Sequence, residues 1–176
     1  MRGDMQEIES ILWESWNRLI TQYTSGKVIL RNERDMENAL KDICRNVMVK
    51  HGFSPVVVSQ EHHRGRIVDL RIGEVNSCIL VQLKLYHDRA DWKETPSMTN
   101  TVESDLKFVK YHKNAYVAVI DTIPSTPRAE LPFKLNWQTI EIAKEVFDKV
   151  YSSINPRTSP RRERRQQILL VKGTEM

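Results

Sequence analysis

A chain of 176 residues, 40% hydrophobic and 28% charged, has the size and apolar content of one ordinary domain with its own core. Its longest apolar run, Ala115 to Ile120, is far too short to span a bilayer, and its two cysteines, Cys44 and Cys78, lie in apolar patterns without metal-ligand spacing. The net charge of +4 is carried by Pro156 to Arg165, with five arginines and one glutamate, while the remainder balances to zero.

These features exclude a disulfide scaffold and a cysteine-rich zinc site, and they lead us to expect a reducing, cytoplasmic setting with no membrane partner. The charged start, Met1 to Glu7, lacks the apolar segment of a secretory signal.

In chain order, Asp4 to about Tyr23 reads as an amphipathic helix, with Ile8, Leu12, Ser15/Trp16 and Leu19 at helical spacing. Thr24 to Lys27 breaks it without the glycine spacing of a phosphate loop. A second helix spans about Glu33 to Lys50 on the stripe Met36, Leu40, Ile43 and Val47, and Gly52 closes it. Three strands are expected next: Phe53 to Gln60, Arg66 to Ile72 and Cys78 to Tyr86, the last two joined by the turn Gly73 to Ser77.

After a polar loop, His87 to Thr99, comes a helix from about Asn100 to Lys113 and then a continuously apolar strand, Ala115 to Asp121. Pro124, Pro127 and Pro132 mark a loop. Asn136 can cap a last helix reaching Tyr151 on the stripe Ile140, Ala143, Phe147 and Val150. The expected organisation is a single domain over residues 1–153 and a basic, flexible arm over 154–176, with Ile168 to Lys172 as a possible extra strand. The central order of helix, three strands, helix and strand implies an α/β fold with a mixed sheet flanked by helices.

The chemically informative stretch is the hairpin. A turn centred near residues 75 to 76 sets Asp69 across from residues 82 to 84, and strand alternation puts Gln82 and Lys84 on one face and Leu83 on the other. All three polar residues are embedded in apolar strands, where a lysine is costly to bury without a partner.

Asp69, followed by Gln82-Leu83-Lys84 on the next strand, resembles the PD-(D/E)xK nuclease superfamily, the restriction endonuclease-like fold, with the element order matching over about Glu33 to Asp121. Val68 stands where the proline of that motif falls, and Gln82 replaces the commoner acid. The resemblance implies a four- to five-stranded mixed sheet in the order α-β-β-β-α-β, with extra N- and C-terminal helices. It also implies metal-dependent hydrolysis of phosphodiester bonds in DNA, RNA remaining an alternative, in a restriction, defence or resolvase-like role.

On that resemblance Asp69 is the carboxylate ligand of Mg²⁺, for which Mn²⁺ substitutes, and the Gln82 amide and Leu83 carbonyl are neutral ligands. Lys84 orients the attacking water, and Glu37 is the helix acid, with Glu33 as second candidate. Cleavage of both strands of a duplex implies a homodimer.

Candidate nucleic-acid contacts are Arg66, Arg71, Lys107 and Trp92 around the hairpin, and Arg161 and Arg162 in the arm. Each has a competing structural reading: surface ion pairs for Arg66 and Arg71, core packing for Trp92, a solvated tail for the arm. Asp105 is expected on a solvated helix face, and His62 and His63 in a solvated loop. Gln82 keeps open a degenerate member that binds nucleic acid or a partner subunit without cleaving. A protein-interaction module without any nucleic-acid role is the third reading.

Overall fold

Helix α1 (Met5–Ser25) begins where the Asp4 side chain accepts from the Glu7 amide at 2.8 Å and Glu7 returns a bond to the Asp4 amide, and it stops at Gly26, whose φ is 85°. Helix α2 (Glu33–Lys50) is capped by Asn32 and buries Met36, Leu40, Ile43, Cys44, Val47 and Met48. The computed structural model describes residues 4–86, 92–96, 101–152 and 162–176.

Six strands follow: β1 (Val57–His63), β2 (Arg66–Glu74), β3 (Ser77–Tyr86), β4 (Ala115–Asp121), β5 (Gln138–Glu141) and β6 (Arg165–Lys172). They form one mixed sheet ordered β1-β2-β3-β4-β6-β5, in which β3 and β4 are parallel and every other pair is antiparallel. Helix α3 (Val102–Lys110) connects β3 to β4 as a crossover, as a parallel pair requires. Among the described residues the sheet therefore has six strands, not four or five.

Two apolar layers sandwich it. α1 and α2 pack with Leu70, Ile72, Ile79, Val81, Leu83 and Leu85 on one face. Helix α3 packs through Val102, Leu106 and Val109 with Val68, Leu80, Val117 and Val119 on the other. β4 is buried along its whole length, as its unbroken apolar run predicts. Among the described residues no helix is long and apolar enough to cross a membrane.

Three expectations need correction. The first strand starts at Val57 and runs through His62 and His63, so the loop begins only at Arg64; His63 meets the ring of His112 edge-on at 5.5 Å. The helix expected from Asn136 to Tyr151 begins instead as β5, whose β-branched Thr139 and Ile140 pair with Gln167 and Gln166. Only the end is helical: α4 (Lys144–Val146) runs on into a π-helical turn, Phe147–Tyr151. A waiting strand edge outweighed a helical stripe.

The third concerns the C-terminal arm, whose possible extra strand, Ile168 to Lys172, does form. Residues 165–172 are the strand β6, inserted between β4 and β5. Arg162 is only 9% exposed, and its guanidinium donates to the Leu30 carbonyl at 2.7 Å and the Tyr23 hydroxyl at 3.2 Å, over the ring of Tyr151. Tyr23 donates in turn to Gln166 at 2.7 Å. A buried guanidinium needs such acceptors, so Arg162 ties α1, the turn after it and the π-helical turn to the last strand instead of facing a ligand. Arg161 lies outside the described residues.

Candidate active site

The hairpin has the register expected of it. Leu70 faces Val81 and Ile72 faces Ile79, and Gly73, at φ 101°, takes a conformation that a side chain would strain. Beyond Leu70 the regular ladder stops. Val68 packs under α3 whereas Leu70 packs under α1 and α2, so β2 breaks its alternation at Asp69. On the neighbouring strand, pairing passes from Ser59–Leu70 to Glu61–Val68, and the intervening Gln60 has φ 55°.

This paired irregularity aims polar side chains into a cleft of about 570 Å³. One Asp69 carboxylate oxygen accepts the Leu83 amide at 2.7 Å, replacing a ladder bond, and the other lies 3.3 Å from the Gln60 amide nitrogen. The Gln82 amide nitrogen donates to the Ile67 carbonyl at 3.3 Å across the same gap. Gln82 and Lys84 line the cleft with Asp69, while Leu83 turns into the opposite core.

The two candidate helix acids divide the wall between them. Glu33 lines the cleft, with its carboxylate 3.8 Å from the Lys84 ammonium. Glu37 is buried behind, where it accepts from Gln60 at 2.7 Å, so Gln60 bridges it to Asp69. Burial raises the affinity of Glu37 for its proton, and the charge of Asp69 adds to that against the Gln60 bond. Burial also raises Asp69, opposed by the Leu83 amide and Lys84.

Helix α3 supplies a residue that sequence reasoning misplaced. Asp105 is 2% exposed, and its two oxygens meet Arg66 and, at 3.5 Å, Lys84. Burial pushes its carboxyl up to about 6 despite both cations. The signal was present, because Val102, Asp105, Leu106 and Val109 form one helical stripe. Gln60 had no such signal, since its role depends on a backbone turn inside a strand.

Of the residues expected to touch nucleic acid, Lys107 is exposed but paired with Glu94 at 3.0 Å and Glu103 at 3.8 Å. Arg66 lines the cleft but is engaged by Asp105, the Ser104 carbonyl and the ring of Phe108. Arg71 is 8% exposed and held by Glu61 and the Gly73 carbonyl. Trp92 is 1% exposed and packs near Trp137 and Arg128. Arg71 and Trp92 are thereby placed in the framework.

Among the described residues the cleft wall carries four carboxylic side chains, Glu33, Asp69, Glu94 and Asp105, against two cationic ones, Arg66 and Lys84. Among the described residues no cluster of three or more His, Cys, Asp or Glu converges as a metal site. No family model, curated protein or solved structure matches the chain.

Proposed function

We propose that this chain is a divalent-metal-dependent nuclease with a restriction endonuclease-like core of the PD-(D/E)xK type, cutting DNA as a homodimer. The observation that carries the reading is the convergence of Asp69, Gln82 and Lys84 on one cleft at a break in the β2–β3 ladder. The donor chemistry fits a hard cation: a half-buried carboxylate held by amides, a side-chain amide and the Leu83 carbonyl offer oxygen ligands, with excess negative charge nearby among the described residues. When bound, Mg²⁺ or Mn²⁺ supplies Lewis-acid polarisation of the phosphate and acidification of a water.

The remaining roles fall to the chain's own groups. Asp69 and the Gln82 amide oxygen would hold the ion, and Lys84 would orient the water and neutralise charge gathering on the phosphate oxygens. Glu37, through Gln60, would keep the Asp69 carboxylate in place.

Cleavage of mixed single- and double-stranded DNA in Mn²⁺ and Mg²⁺ tests the reading. Asp69→Ala and Lys84→Ala should each lose at least about a hundredfold in rate. Wild-type cleavage that survives both substitutions would assign the activity to something else. A non-catalytic, nucleic-acid-binding reading is favoured by one observation, that Gln82 puts an amide where a second acid would strengthen the ion site. Salt-sensitive binding without cleavage in either metal would select it.

A further inference from the structure

From the ion-pair chain across the cleft we infer that Asp105 is a positioning residue for Lys84, holding the lysine ammonium at the cleft wall from a helix outside the strand motif. The catalytic consequence rests on the nuclease reading; the placement of the ammonium does not.

Asp69 accepts from the Leu83 and Gln60 amides, and its charge also acts on Lys84. Lys84, 6% exposed on a flexible four-carbon stem, needs an anion fixed independently of it. Glu33 is a weak candidate, because its side chain is 46% exposed and 3.8 Å away.

Asp105 meets the requirement. One of its oxygens is clamped by Arg66, itself fixed by the Ser104 carbonyl at 3.2 Å and by the face of Phe108 at 5.1 Å. The other oxygen is buried, accepts no hydrogen bond among the described residues, and lies 3.5 Å from the Lys84 ammonium. The carboxylate also lies in the first turn of α3, whose N-terminus is capped by Thr101, where the helix dipole favours negative charge. Burial in the first turn of α3 fixes Asp105, Arg66 adds a second hold on it, and Asp105 sets Lys84.

The test is lysine methylation of the folded full chain by formaldehyde and borohydride, read peptide by peptide, with exposed Lys107 as internal standard. Asp105→Asn should raise Lys84 labelling severalfold. Arg66→Gln should not, because Asp105 then keeps Lys84 as its cation. General loosening of the fold would raise Lys84 labelling in both variants and overturn the inference, as would equal labelling in wild type and Asp105→Asn.

In the cleavage assay Asp105→Asn should lower kcat roughly tenfold with little change in KM, the mark of a misplaced reacting group. An unchanged kcat would also overturn it. If the wild-type chain does not cleave, the nuclease reading falls, and the Lys84 labelling pattern alone decides the inference.

Discussion

Asp105 shows what a single buried carboxyl does to both stability and chemistry. Its folded-state pKa of about 6 lies above the ordinary value of 3.8, so between those values the folded chain holds a proton that the unfolded chain has released. The resulting stability is fully present below the unfolded value and is lost as pH rises through about 6, a swing of about 3 kcal/mol. Asparagine stays neutral throughout. The melting temperature of Asp105→Asn should therefore gain on wild type between pH 4 and pH 7, and a gap that stays level or closes would contradict the assignment. Desolvation of the carboxylate outweighs its two ion pairs. Such a residue costs stability at neutral pH.

At the scale of elements, the decisive contacts are those where a backbone approaches a backbone. A short 3₁₀ turn, Gly173–Glu175, follows β6 and packs on the end of α3. A Cβ at Gly173 would fall 1.8 Å from the Val109 carbonyl oxygen and 2.8 Å from the Lys110 nitrogen. Neither atom belongs to a flexible side chain that can swing aside. Gly173→Ala should cost about 3 kcal/mol, the upper part of the usual overpacking range, measured by urea unfolding. A loss below about 0.5 kcal/mol would show that the turn shifts freely, since surface substitutions typically stay within that bound.

The elements themselves were unequally legible. α1, α2, β3 and β4 carry their period in consecutive side chains, so local pattern sufficed. Ile140, Ala143, Phe147 and Val150 also make a good helical stripe, and Phe147 and Val150 do pack on the core. What the stripe lacked was knowledge of β6 lying beside Gln138 to Glu141.

For the molecule as a whole, β6 converts an expected appendage into the strand that joins β4 to β5. Tyr116 to Asp121 of β4 pair with it, and Ile168, Leu169 and Leu170 are buried. Ending the chain at Arg164 would strip these partners from β4 and expose its apolar faces. The truncated chain should show no cooperative thermal transition by circular dichroism, whereas a disposable arm would leave the transition within a few degrees of the full chain. The charge distribution changes with it. Arg162 is internal, whereas Arg164 pairs with Glu141 at 3.4 Å at the surface and Arg165 is exposed.

The sequence by itself determined the α/β class, the first two helices, the hairpin register and the shared face of Gln82 and Lys84. All of these follow from periodicities of a few residues and one turn. Only the tertiary structure decided that Asp105 faces Lys84, that Gln60 links Glu37 to Asp69, and that Arg162 and β6 are interior. Those outcomes depend on which distant segment supplies a buried charge with its partner or a strand with its edge, and no local pattern encodes the identity of that segment.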